Sequence, residues 1–347
     1  MGVLTDSLKS TTTGCKQTDP KPNVLKMEPK KAVVGSTELL QTETENRFVI
    51  FPLNHGEIFQ NYKDAAKKFW TPSKFNFIEC KRALEKMDKV ERAAFDKCVC
   101  SLTFAHGYDS VNYIEDYAKS VPILEARFFF GWEVAMEGIH TETFKKIFGD
   151  FVQDTSISTT SLRKLAGSRK DWCNKWIGNP NVHFGERTFA LAVAQNIFNV
   201  GGFAALLGYC ESGLFRGLKE ALDTIFEDQR ISGSFAVLLT TYVSDKPSGE
   251  RVLEMVKEVV AIEQNYLKES LMGPKEVLLQ HVEFVADHLL KELNIKPHFG
   301  RAENIIGYMK NLNFNHRAVK KAGTRYQAPT ARYQDNIDDA FDLDADF

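Results

Sequence analysis

From Arg47 to about Leu312, apolar residues return every three or four positions, the period that lays one stripe along an α-helix. The runs 92–104, 122–149, 186–209, 218–242, 250–270 and 276–293 each predict a helix, and the alternation of a strand is scarce. Pro72, Pro122, Pro180 and Pro247 fall between the runs, where helices start or stop. The pattern predicts an all-α bundle of long helices, placed at 46–325. Neither an internal repeat of fixed period nor a glycine-rich phosphate loop interrupts it.

Both ends differ from this middle. Residues 1–45 are rich in Ser, Thr, Lys and Pro with little periodicity, and are expected to form a flexible arm. The stretch 326–347 is expected to be a flexible acidic tail. Its last residues, DNIDDAFDLDADF, interleave aspartates with Ile337, Phe341, Leu343 and the terminal Phe347. A solvated acidic end is one reading. The regular apolar residues beside a free carboxylate favour the other, a linear motif that orders in the groove of a partner.

Thr188 to Cys210 runs without a charge and is long enough to cross a membrane. Gln195, Asn196 and Asn199 sit in its middle beside Gly201 and Gly202, and carboxamides are costly in hydrocarbon. A helix buried all round in a large bundle is the better expectation. The 347 residues are 43% hydrophobic, enough for a substantial core, and the net charge of −2 offers no overall field for nucleic acid or an anionic membrane. The six cysteines have no CxxC spacing, which fits reduced thiols in cytosol or nucleus, and the chain is expected to be cytoplasmic, with Cys98 and Cys100 as packing residues. No secretory signal opens the sequence.

The chemistry is carried by AMEGIHTETF, 135–144, where Glu137 and His140 lie about one turn apart on one helix face. Exposed polar pairs at this spacing are common. The preceding FFFGWEVAM leaves the helix apolar almost all round, so both groups are expected to be buried and to need partners. A four-helix carboxylate site takes a Glu from each of two helices and a Glu-x-x-His from each of the other two.

With that template the chain resembles the small subunit of class I ribonucleotide reductase. The resemblance rests on KKFWTPS around Trp70, EARFFFGWEVAMEGIH, KWIGN with GERTFALAVAQNIF, HVEFVADHLL and the acidic tail, and spans nearly everything after residue 45. It implies a ferritin-like bundle with two irons and a tyrosyl radical, used by a large partner subunit to begin ribonucleotide reduction. The ligand positions it implies are altered in this sequence. His106 stands where the first helix would give an aspartate, with Asp109 three residues on as the alternative register. Glu137 and His140 keep the first motif, whereas Gln195, Gln229 and Ser232 stand at lost ligand positions, and Phe144 takes the place of the radical tyrosine. Trp70, Asp228 and Tyr326 match radical-transfer positions, with Asp228 bridging His140 and Trp70.

These replacements remove the negative charge that two ferric ions need, since Glu137 alone remains of four carboxylates. The expectation is therefore a non-radical structural or regulatory subunit with no cofactor, or at most one Fe or Zn ion on His106, Glu137 and His140. Glu137 is otherwise expected to be held by the two histidines and Gln195. Expected partners are the large subunit, through Phe341, Leu343 and Phe347, and another small subunit in a hetero- or homodimer, with neither nucleic acid nor membrane. The alternative function is that of a mononuclear metal oxidase on the same three residues.

Overall fold

The computed structural model describes residues 38–42, 50–51, 53–107, 110–153, 159–271 and 275–309, all within the compact unit Ser36–Phe347. Among these there is no strand. The helices are α1 (Gly56–Ala66), α2 (Ile78–Leu84), α3 (Lys89–Gly107), α4 (Ser110–Ala118), α5 (Leu124–Phe151), α6 (Thr159–Trp176), α7 (Phe184–Ile197), α8 (Val200–Cys210), α9 (Arg216–Tyr242), α10 (Gly249–Ser270) and α11 (Glu276–Glu292). Most of the predicted arm, Tyr326 and the whole acidic tail lie outside the described residues. Within the arm, Leu39–Gln41 form a short 3-10 turn whose Leu40 is fully buried.

Local signals set the helix starts. The Asp88 carboxylate accepts from the backbone N–H of Val90 and Glu91, both at 2.8 Å, and Ser248 Oγ accepts from Arg251 N–H at 3.2 Å ahead of α10. α5 packs on α3 and α9, and α9 on α7, and these four helices enclose the cluster described below. α6, for which no run is predicted, buries Leu162, Ala166, Arg169, Trp172, Cys173 and Trp176 at helical spacing, and the arginine in that stripe hides its periodicity.

The predicted helix 186–209 is two helices. The break falls at Asn199, whose φ of 71° is left-handed, a conformation asparagine tolerates better than most residues. Its N–H donates to Glu263 Oε2 at 3.0 Å, and its Oδ1 accepts from Arg169, which also pairs with Glu263 and lies 4.2 Å from the centre of the Tyr266 ring. The charge-free stretch is thus held by a buried ion pair, and 83% of the most apolar 18-residue window in Phe184–Cys210 is buried within the protein, as in the core helix of a bundle. Cys80, Cys98, Cys100, Cys173 and Cys210 are all free and buried, and burial pushes the Cys98 thiol up to about 12.

Glu263→Ala should leave the Arg169 guanidinium buried without its carboxylate and lower the unfolding free energy by about 3–5 kcal/mol. Urea denaturation of the two proteins reads this directly.

Candidate metal centre

Four helices deliver the site. α3 brings His106 near its C-terminal end; α5 brings Glu133, Glu137, His140 and Phe144; α7 brings Gln195; α9 brings Asp228, Gln229 and Ser232. The α5 residues succeed one another at spacings of four, three and four, which is one face of one helix. Close approach of α7 and α9 depends on Gly233: an added Cβ would lie 2.5 Å from Asn196 Oδ1, and Asn196 Nδ2 donates to the Gly233 carbonyl at 3.1 Å.

Ligand atoms of His106, Glu137 and His140 all lie within 4.8 Å of one another, and all three residues are buried. Asp228 Oδ2 accepts from Trp70 Nε1 at 2.8 Å and lies 3.0 Å from His140 Nε2, so one carboxylate joins the indole to the imidazole. The other ring nitrogen, Nδ1, is 3.7 Å from Glu137 Oε1. Trp70 and His140 stack with ring centres 5.8 Å apart. Burial opposes a charge on His140, but the carboxylates of Asp228 and Glu137 outweigh it and hold the imidazolium up to about 9.

The neighbouring imidazole is driven the other way. Burial holds His106 down to about 3, with Glu137 only partly opposing, so its ring is neutral. Its Nε2 is 3.0 Å from Gln229 Nε2. A neutral ring accepts from that amide, which places the ring proton on Nδ1. Phe144 stacks on the same ring at 4.6 Å, and Phe203 meets it edge-on at 5.4 Å.

Glu133 is the residue that the sequence reading missed. It is 3% exposed, and Gln195 Nε2 donates to its Oε1 at 2.9 Å. Burial pushes its carboxyl up to about 8, against a hydrogen bond from Ser232 and reinforced by the charge of Glu137. The expectation that Gln195 holds Glu137 is therefore corrected: the amide serves Glu133, and the site has a second carboxyl group besides Glu137. The signal was present, because Glu133 precedes Glu137 by one turn in WEVAMEGIH. Asp109 and Tyr326 lie outside the described residues, and His106 itself occupies the cluster.

The donors do not suit a pair of ferric ions. Gln229 covers one His106 nitrogen, Gln195 turns its N–H inward, and Glu133 keeps its proton at neutral pH. Glu137 and two imidazoles would serve one divalent ion, in the two-histidine, one-carboxylate arrangement, once His140 gives up its proton and His106 presents an unprotonated nitrogen.

An all-α bundle enclosing a carboxylate and imidazole cluster between four helices is a ferritin-like architecture. The profile of the family "Ribonucleotide reductase, small chain" matches residues 47–305, and the chain belongs to that family, a small-subunit component of the enzyme that makes deoxyribonucleotides. It is 31% identical over 322 residues to the human ribonucleoside-diphosphate reductase subunit M2, covering 89% of this chain and 82% of that protein. The zebrafish (Danio rerio) subunit M2 is 30% identical over 330 residues, covering 92% and 85%. The fold is similar to the Rnr4 homodimer structure from Saccharomyces cerevisiae, with a TM-score of 0.70, 23% identity and coverage of 77% of this chain and 88% of that one.

Folding moves Glu133 from an ordinary carboxyl value up to about 8 and His140 up to about 9. Around pH 7 to 7.5 the folded chain therefore keeps up to two protons that the unfolded chain has largely released, and stability falls as pH rises, by at most about 1.4 kcal/mol per pH unit for each proton. Glu133→Gln should remove one of the two contributions and halve that slope in denaturant titrations at several pH values.

Proposed function

We propose that this chain is a non-radical small subunit, structural or regulatory in role, that works beside a small subunit able to hold two irons and a tyrosyl radical. The observation that carries this reading is Phe144. It occupies the position that the family resemblance gives to the radical tyrosine, packed on His106, and a phenyl ring has no O–H to lose. The same cluster lacks the carboxylates that would neutralise two ferric ions, so both requirements for a radical fail independently.

The residues that the resemblance assigns to radical transfer keep a structural occupation. A buried indole N–H and a buried imidazole N–H both require an acceptor, and Asp228 supplies both. In this reading the connection of Trp70, Asp228 and His140 orients α5 against α9 without carrying charge, and Tyr326 is inherited in the same way. The tail, through Phe341, Leu343 and Phe347, docks the large subunit as a linear motif. The assembly works in the cytoplasm, where the buried cysteines stay reduced. A partner small subunit that binds only the folded chain stabilises it by mass action.

A second reading has its own support. His106, Glu137 and His140 converge within 4.8 Å, a set suited to a single Fe or Zn ion and to a mononuclear oxidase. His140→Ala should then abolish binding of one ion per chain, measured by elemental analysis.

Phe144→Tyr treated with ferrous iron and oxygen should give no tyrosyl signal in electron paramagnetic resonance, because restoring the phenol does not restore the oxidant. A tyrosyl signal would contradict the proposal. Removing residues 341–347 should abolish co-sedimentation with the large subunit while leaving the helical circular dichroism unchanged.

A further inference from the structure

A cavity of about 400 Å³ opens where the end of α2, the first turn of α3, α8 and the turn before α9 meet. Its walls are largely apolar: Ala83, Met87, Ala205, Tyr209, Leu214 and Phe215. Phe95 backs two of them, meeting the Tyr209 ring edge-on at 5.2 Å and stacking on Phe215 at 5.4 Å. Leu214 is 55% exposed, so the cavity leaves a large apolar side chain facing water. Two charged residues, Lys86 and Glu91, also line it. An exposed apolar hollow with a few polar groups is a seat for another group.

The point where the described chain stops says what fills it. The 3-10 turn Gly307–Met309 is the last described element, and its Tyr308 Oη donates to the Ala204 carbonyl of α8 at 2.8 Å. The same oxygen lies 3.0 Å from where a Cβ on Gly208 would stand, and Gly208 is part of the cavity wall. Met309 is fully buried, so the chain is fixed beside the cavity at the point where it continues. The sequence that follows reads KNLNFN, 310–315. Leu312 and Phe314 alternate with asparagines, the spacing that turns two apolar side chains to one side of an extended segment. From Met309 an extended chain reaches about 10 Å to Leu312 and about 18 Å to Phe314.

Charge selects the same segment. Glu91 and Glu211 are both exposed, and among the described residues neither forms an ion pair. Burial, and after it the charge of Glu211, holds the Tyr308 phenol up to about 12, which sets that carboxylate near the point of exit. His316, Arg317, Lys320 and Lys321 follow Phe314 closely and supply the opposite sign. A tether this short gives the segment an effective concentration on the order of millimolar, an advantage that a separate partner lacks.

We propose that Leu312 and Phe314 seat in this cavity, with the basic residues after them against Glu91 and Glu211. The seat anchors the chain between the bundle and the tail and sets the point from which the acidic tail departs. It needs neither metal in the cluster nor a large subunit, so it and the functional reading above fail separately.

Disulfide trapping in the full chain tests this. In a C15S background the remaining native thiols, Cys80, Cys98, Cys100, Cys173 and Cys210, are all buried. Ser212 and Lys86, both exposed and both lining the cavity, are changed in turn to cysteine together with N313C, which leaves the two apolar anchors in place. Oxidation with oxidised glutathione and peptide mass spectrometry should show an intrachain bond from 313 to 212 or to 86, with a yield unchanged on dilution. Adding L312D/F314D should lower that yield by about tenfold or more, because both apolar anchors are lost, while helical circular dichroism stays unchanged. Absence of the bond in both cysteine pairs would overturn the proposal. So would an equal yield in L312D/F314D, or bonds formed only between chains, which would make a second copy the occupant.

Discussion

Charge compensation in a dry interior is the constraint on which the rest of this structure depends. The four helices that meet at His106, Glu133, Glu137 and His140 enclose side chains that water cannot reach, so each ionised group must find its counter-charge within a few ångströms. Two solutions appear side by side. His140 is charged because Asp228 and Glu137 flank it, and Glu133 is neutral because burial is not offset. Amides from Gln195 and Gln229 add a hydrogen bond each, to Glu133 and His106, without adding charge. A pair of trivalent cations would need carboxylates that this chain has replaced.

The same economy recurs away from the site. Arg169 and Glu263 neutralise each other where α6 and α10 meet, and the pair supports the left-handed Asn199 that divides α7 from α8. Asp287 accepts three backbone N–H groups, from His298, Phe299 and Arg301, and so fixes the chain after α11. Buried carboxylates in this bundle serve as anchors for neighbouring segments as much as they serve the central cluster.

Much of this was legible in the sequence. Helical periodicity gave the long helices because their buried stripes are apolar, and Glu137 with His140 stood out because a polar pair in such a helix needs a reason. What was missed has physical causes. Arg169 sits in the stripe of α6 and breaks its pattern, so that helix went unseen. Asn199 splits a run that composition alone shows as continuous, and its partners Arg169 and Glu263 are distant in sequence. Gln195 was paired with Glu137, although it reaches Glu133, because spacing on one helix cannot say which turn of another helix it faces.

We infer that this cluster accepts at most one metal ion. Loading the purified chain with isotopically enriched ferrous iron, exposing it to oxygen and recording Mössbauer spectra alongside iron per chain tests it most directly. One iron or fewer per chain and no coupled pair are expected. Two irons per chain with the spectrum of an oxo-bridged diferric centre would contradict it.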